Sequence, residues 1–179
     1  MAKCERHVYP TGEIPHLWAH QTQHDARNQQ GNLYFTGDRI YSYGPHFEIA
    51  RFVTNSKGTR GILLNSRTYS VTTSRHQSAV RSAIPPDMPK FTVPDLDGHD
   101  TENLQYYRNE ITRCVEQASR RRVEARATWD LKSAAHLQSK MRQYIKFWDL
   151  PDTDIPTVPE LGKGTLQRLA GSGGEEGLE

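Results

Sequence analysis

Side chains that bind anions are concentrated in one short stretch, Arg67 to His76, which carries hydroxyl groups, two guanidinium groups and an imidazole. A helix N-terminus offers free N–H groups and a partial positive charge, and hydroxyls and arginine add the donors that a phosphate needs. The alternative is an ordinary helix cap with surface hydroxyls. The predicted anion pocket consists of Arg67, Tyr69, Ser70, Thr72, Thr73, Ser74 and His76.

Aromatic and basic residues are interleaved in the stretch that precedes this pocket. Aromatic faces beside cations suit stacking on nucleic-acid bases next to phosphate contacts. Strand alternation predicts that Tyr41 and Tyr43 share one face, with Ser42 on the other. The alternative is a half-buried strand, because strands also favour tyrosine. The residues predicted to stack or bond beside the pocket are Tyr41, Tyr43 and His46, and Arg27 and Asn28 complete it from the first predicted helix.

Two histidines, His46 and His76, indicate a second chemistry. Metal-independent cleavage of a phosphodiester commonly uses one histidine as the base and another as the acid. Both lie close in sequence to arginine, tyrosine and hydroxyl residues that would hold the phosphate. The sequence therefore leaves a binding module and a phosphodiesterase open as interpretations.

Two further patterns have chemical content. His16, His20 and His24 recur at a spacing of four, which would stack them along one helix face. We interpret that face as solvated and predict neither a metal nor a cofactor.

Four arginines in the C-terminal half are predicted to contact a nucleic-acid backbone, the alternative being a solvated helix end. They are Arg120, Arg121, Arg122 and Arg126.

The composition excludes several function classes. The chain has 179 residues, of which 35% are hydrophobic, and a net charge of +2, too small to indicate nucleic-acid binding by itself. It contains no Walker loop, no G-x-G-x-x-G, no G-x-S-x-G and no H-E-x-x-H. Cys4 and Cys114 lack a disulfide or metal spacing, which indicates free thiols of a reducing compartment. Without a signal peptide or a long apolar run, we predict a cytoplasmic protein with no membrane partner.

The elements that must position these residues form a predicted α+β core over residues 13–86, with a small mixed or antiparallel sheet and flanking helices. A first helix is expected at about 15–29. The sequence NLYFTGDRIYSYG predicts a hairpin with Gly37 in its loop. Residues 47–53 suit either a strand or a short helix.

The second half of the core is predicted from an apolar run and a capped helix. GILLNS, residues 61–66, predicts a buried strand. Thr73 or Ser74 is expected to cap a helix that Pro85 ends.

Three segments follow the predicted core. Residues 87–100 hold two prolines and four aspartates, which favours a linker. Residues 101–148 carry two apolar stripes that are out of phase, so we predict a helical hairpin, or a kinked helix, with its break near Thr128. The acidic, Pro- and Gly-rich segment 149–179 is expected to be extended or disordered, with one helical turn at 165–170.

The motifs YF.G..IYSYG.HF.IA and RTYSVTTS.H, within residues 17–86, resemble those of short proteins of unknown function found in phages and other mobile elements of bacteria. The resemblance implies a phage or mobile-element origin and the cytoplasm of a bacterial host. It implies no activity. It also implies that its hydroxyl, histidine and arginine positions, Ser42 among them, form a site.

We therefore hypothesise a phage protein that binds nucleic acid, including RNA, or another phosphate-bearing ligand. The first alternative is a phosphodiesterase acting on RNA or a cyclic nucleotide through His46 and His76. The second is an interaction protein that inhibits a host defence factor, with Tyr144, Phe147 and Trp148 as its contact surface. The partner is thus a nucleic acid, a nucleotide or a host protein, and the oligomeric state is open.

Overall fold

The computed structural model describes residues 6–151 and 153–160. The chain divides into two compact units, one up to His99 and one from Asp100 onward. The described residues form a seven-stranded mixed sheet and four helices, which confirms the predicted α+β class. None of the described helices is both long enough and apolar enough to cross a membrane.

The strands of the first unit lie in the sheet in the order in which they occur along the chain. The central strands pair antiparallel, whereas each outermost pair is parallel. The strands are β1 (Val8–Tyr9), β2 (Asp25–Asn28), β3 (Leu33–Thr36), β4 (Arg39–Ser42), β5 (Glu48–Thr54), β6 (Arg60–Asn65) and β7 (Lys90–Val93).

A helix connects each parallel pair, because parallel neighbours need a crossover. Helix α1 (Ile14–Ala19) lies between β1 and β2, and helix α2 (Val71–Ala83) lies between β6 and β7. Residues of both helices, such as Trp18 and Val80, share one apolar core with Phe35 and Ile40 of the sheet. Both helices therefore cover the same face of the sheet, which is called the inner face below.

Several local predictions are confirmed. The hairpin of β3 and β4 turns at Gly37, whose φ of +55° suits glycine. The run GILLNS belongs to the buried strand β6. Residues 47–53, which suited a strand or a helix, lie almost entirely in β5.

The prediction of a helix over 15–29 is wrong beyond its first turns. Helix α1 ends at Ala19, and Gln21 has a left-handed φ of 50°. Downstream, Ala26 and Asn28 alternate into the interior as in a strand. The apolar anchors of the predicted helix all lie in its first turns, so nothing holds the polar remainder helical.

The sheet also extends beyond the predicted core of residues 13–86. Val8–Tyr9 adds a strand at one edge, before the start of the predicted core. Lys90–Val93 adds a strand at the other, inside the segment 87–100 that was interpreted as a linker. Phe91 and Val93 are buried there, so the alternating apolar pattern outweighs the surrounding prolines.

The second unit contains the predicted helical hairpin, formed by α3 (Asp100–Ser119) and α4 (Glu124–Trp148). The break lies at residues 120–123 and not near Thr128, because the buried stripe of α4 already begins at Ala127. The predicted stripe of α3 is buried throughout: Leu104, Tyr107, Ile111, Cys114 and Ala118.

The segment after α4 lies along the hairpin. Gln138 donates through Nε2 to the carbonyl oxygen of Pro156 at 2.8 Å, and Val158 packs against Ala118, Ala127 and Leu131. This part of the predicted tail therefore contacts the helices while forming neither helix nor strand itself. The prediction for 165–170 and the rest of the tail, like Cys4, lies outside the described residues.

Candidate ligand-binding site

The turn between β4 and β5 has an unusual backbone. Tyr43 has a left-handed φ of 59°, which is rare for a residue with a bulky side chain, and 51% of the residue is exposed. Its N–H donates to the carbonyl oxygen of Asn32 at 2.9 Å, and the N–H of Ser42 donates to that of Phe47 at 3.0 Å. These bonds hold a strained tyrosine at the surface, and such strain is often found at functional sites.

The left-handed turn separates Tyr43 from Tyr41. The sequence predicted one shared face, but β4 ends at Ser42 and the chain turns at Tyr43. Tyr41 pairs with Tyr34 on the outer face of the sheet, where the two ring centroids lie 5.2 Å apart. The ring of Tyr43 instead lies beside His76, with centroids 6.2 Å apart.

Ser42 and His76 form a buried polar pair beneath Tyr43. The hydroxyl oxygen of Ser42 lies 2.8 Å from Nδ1 of His76, and the residues are 0% and 6% exposed. Ser42 lies on the inner face because it is paired with Leu33, a core residue. Burial lowers the pKa of His76, since the charged imidazolium loses hydration there. The lowered pKa favours the neutral imidazole.

The hydroxyl cluster around Ser70 closes the first turn of α2. Oγ of Ser70 accepts the N–H of Thr73 at 3.1 Å and lies 3.0 Å from Thr73 Oγ1. Ser74 donates through Oγ to the carbonyl oxygen of Ser70 at 3.0 Å. The N-cap is thus Ser70, not Thr73 or Ser74 as predicted, and the cap interpretation holds for these three hydroxyls.

Two large apolar side chains are exposed at this end of α2. Tyr69 is 84% exposed and Val71 is 72% exposed. The ring of Tyr69 contacts that of Phe47, with centroids 6.4 Å apart, so the turn after β4 and the start of α2 are neighbours. We call this region the α2 site, defined by Ser42, Tyr43, His46, Tyr69, Val71, Thr72 and His76.

His46 belongs to the same turn as Tyr43. A Cβ placed on Gly44, whose φ is +126°, would come within 3.1 Å of the His46 ring. The backbone angle favours glycine here, whereas the exposed His46 ring would need to move by only a few tenths of an ångström to admit a Cβ. The two candidate acid and base groups, His46 and His76, thus lie beside adjacent residues of one turn, Gly44 and Tyr43.

Arg67 lies in the segment that leads into α2, and it is exposed. Its N–H donates to Oδ1 of Asn65 at 2.9 Å, and its carbonyl oxygen accepts from Nε2 of Gln77 at 2.8 Å. Gln77 also donates to the carbonyl oxygen of Asn65 at 3.0 Å. These bonds fix the backbone that carries Arg67 to the beginning of α2.

Arg27 and Asn28 do not join the α2 site in the way that was predicted. Arg27 is exposed in β2. It is paired across the sheet with Tyr34 of β3, which is paired in turn with Tyr41 of β4 on the outer face. Asn28 is buried and fully used within the protein: its amide nitrogen donates to Thr11 and Asn32, and its oxygen accepts from Leu33.

The arginines between α3 and α4 belong to the second unit. Arg121 bonds through Nε to Oδ2 of buried Asp130 at 2.7 Å, which fixes the turn. Arg120 lies 3.6 Å from Glu116. All four arginines are exposed, but among the described residues Arg122 and Arg126 form no ion pair, so they are the two best placed to meet a phosphate backbone.

The three spaced histidines do not share one helix face. The rings of His16 and His20 stack with centroids 6.4 Å apart, but α1 ends before His24. Among the described residues, no group of three or more His, Cys, Asp or Glu side chains is arranged to hold a metal ion.

Ser42 is a site residue that residue-by-residue reasoning did not select. The sequence did contain one signal: Ser42 occupies an inward position of β4, and the other inward residue of that strand is the apolar Ile40. A buried hydroxyl needs a partner. Its partner is 34 positions away in sequence, and local patterns carry no information on such a pair.

Comparisons with protein-family models, with curated proteins and with solved structures find no match to this chain. The resemblance to phage and mobile-element proteins stays a prediction. Function is therefore inferred from the chemistry of the α2 site.

Proposed function

We propose that the protein binds nucleic acid or another phosphate-bearing ligand at the α2 site. The observation that carries the proposal is the buried Ser42–His76 pair beneath exposed Tyr43, next to the N-terminus of a 13-residue helix. A fixed imidazole, an exposed aromatic ring and free helix N–H groups together suit a ligand with both a ring and an anion.

The start of α2 supports anion binding. Within the described residues, no hydrogen bond uses the N–H of Val71 or Thr72. The first turn of α2 has no acidic residue, and residues 66–86 hold three arginines and no carboxylate. An approaching phosphate therefore meets donors and positive charge without local repulsion.

The exposed tyrosines support a ligand that carries bases. Tyr43 and Tyr69 expose aromatic surface on the two segments that border the site. Stacking of a base on such a ring contributes about 1–3 kcal/mol and tolerates any sequence. Inorganic phosphate gains nothing from these rings, so we favour a nucleotide or a nucleic acid.

The experiment is a titration of the purified protein with labelled single- and double-stranded RNA and DNA at low and at moderate salt. We expect binding that weakens steeply as salt rises, because phosphate contacts release counterions. Arg67→Ala is expected to cost about 1–3 kcal/mol. Arg81→Ala, in the last turn of α2 and away from its N-terminus, is the matched control. Salt-insensitive binding, or no binding at low salt, would contradict the proposal.

A second candidate function is a metal-independent phosphodiesterase with His46 and His76 as acid and base. The observation that favours it is the placement of both rings at the Tyr43–Gly44 turn. Running the titration endpoints on a denaturing gel tests it, since cleavage shortens the oligonucleotide. Full turnover by a His46→Ala/His76→Ala double variant would remove this candidate.

The setting that we propose is the cytoplasm of a bacterial host, supported only by the motif resemblance. An inhibitor of a host defence factor has less support. The surface suggested for that contact is largely interior, because Tyr144 and Phe147 are buried.

A further inference from the structure

We infer that Ser42 is a positioning residue that holds His76 in the neutral form with its hydrogen on Nε2, so that the α2 site presents a donor to a phosphate oxygen of single-stranded nucleic acid. The assignment of the hydrogen stands on the geometry of the buried pair. The identity of the ligand rests on the proposed function and deepens it.

The direction of the hydrogen bond follows from the number of donors. Ser42 is fully buried and has one hydroxyl hydrogen, and the partner of its oxygen in the described residues is Nδ1 of His76. If Nδ1 carried a hydrogen, it would donate to Ser42, and the serine hydroxyl would be left without an acceptor. Leaving a buried donor without an acceptor costs free energy, so the hydroxyl donates to Nδ1. A neutral imidazole that accepts at Nδ1 carries its hydrogen on Nε2.

The charged imidazolium is disfavoured by the same argument. It would donate from Nδ1, and the hydroxyl of Ser42 would again be left without an acceptor. Burial acts in the same direction, because it lowers the pKa of His76. Both effects keep the ring neutral.

Nε2 is left for a ligand. No described residue forms a hydrogen bond with it, and it is not among the polar side-chain atoms sealed from solvent. The exposed ring of Tyr43 lies against the same imidazole. Nε2 is therefore unoccupied by any described residue and keeps some contact with solvent beside Tyr43, in a residue that is 6% exposed.

A donor at this position selects the class of ligand. The N–H groups of Val71 and Thr72 are also donors, so the site favours a ligand rich in acceptors, as a phosphodiester is. Tyr43 and Tyr69 can stack only on bases that have left a duplex. The expected ligand is therefore single-stranded RNA or DNA. With its hydrogen on Nε2, His76 cannot accept a proton there, which disfavours its role as a general base.

The first test needs no ligand. The measurement is a ¹H–¹⁵N NMR correlation spectrum of the histidine rings, recorded on the full ¹⁵N-labelled chain at pH 7. It correlates the hydrogens on the ring carbons with both ring nitrogens and so shows which nitrogen of His76 carries the hydrogen. We expect the Nε2–H form. The Nδ1–H form or the imidazolium would overturn the inference, whether or not the protein binds nucleic acid.

The second test uses Ser42→Ala, with Ser42→Thr as the variant that restores the hydroxyl. For a labelled single-stranded oligothymidylate at low salt, we expect about 3- to 10-fold weaker binding by Ser42→Ala and recovery in Ser42→Thr. Ser82→Ala, exposed near the end of α2, is the control. Wild-type affinity of a folded Ser42→Ala would overturn the role of Ser42. If Ser42→Ala does not fold, the spectrum of the wild-type protein still shows which ring nitrogen of His76 carries the hydrogen, and the Nδ1–H form would overturn the inference. Absence of any binding with the Nε2–H form present would reject the ligand and the proposed function, but not the assignment of the hydrogen.

Discussion

The hydroxyl of Ser42 lies 2.8 Å from Nδ1 of His76 and joins the end of β4 to the second turn of α2. Both residues are buried beneath Tyr43, which the turn after β4 holds at the surface. The pair therefore has a structural effect, since it fixes α2 against the sheet. It also has a chemical effect, because it orients the imidazole of a candidate binding site.

The first prediction concerns the dependence of stability on pH. Burial lowers the pKa of His76 below 6.5, so the unfolded chain binds a proton that the folded protein does not. The contribution is fully present above pH 6.5 and is lost as the pH falls below it toward the lowered pKa. Urea unfolding at several pH values should show stability decreasing by at most about 1.4 kcal/mol per pH unit from this residue. His76→Gln should remove that part of the slope, and an unchanged slope would contradict the prediction.

The second prediction concerns the strained backbone of Tyr43. A non-glycine residue in the left-handed region costs about 1–2 kcal/mol, and glycine avoids that cost. Tyr43→Gly should therefore be about 1 kcal/mol more stable than Tyr43→Ala in urea unfolding. Both variants should bind oligonucleotide more weakly, since each lacks the ring. A Tyr43→Ala protein as stable as Tyr43→Gly would show that the turn is not strained.

The third prediction separates a structural residue from a binding residue. The buried side chain of Asn28 forms hydrogen bonds with Thr11, Asn32 and Leu33. Asn28→Ala should therefore lower the free energy of unfolding by about 2–3 kcal/mol. The exposed neighbour Gln29 is the control, and Gln29→Ala should lie within about 0.5 kcal/mol of the wild type. Nearly equal stability of the two variants would mean that the Asn28 bonds contribute little.

The fourth prediction distinguishes the arginines of the second unit. Arg121→Ala should lower the urea midpoint, because buried Asp130 loses its bond to that guanidinium. Arg122→Ala should leave the midpoint unchanged. If Arg122 contacts a phosphate backbone, its loss should reduce the slope of log affinity against log salt by about one. An unchanged slope would remove Arg122 from the set of backbone contacts.

Local patterns were sufficient for several elements of the fold. The turn at Gly37, the buried strand β6 and the apolar stripe of α3 each follow from a few adjacent residues. The strand β2 was missed because a four-residue alternation that includes a buried asparagine resembles a polar helix end. The strand β7 was missed because prolines on either side of it favour a linker.

The site itself was only partly predictable. His76, Tyr43 and Tyr69 were selected by residue type, but the separation of Tyr43 from Tyr41 depends on one backbone angle that the sequence does not display. The role of Ser42 depends on a contact across 34 positions. Such pairings are decided by packing of the whole unit.

The most direct test of where the ligand binds is to follow backbone amide resonances of the ¹⁵N-labelled protein while a short single-stranded oligonucleotide is added at low salt. We predict the largest shifts at Tyr43–Phe47 and at Tyr69–Thr73, the two segments that border the α2 site. Shifts confined to Arg120–Arg126, or no shifts at all, would contradict the assignment of ligand binding to the α2 site.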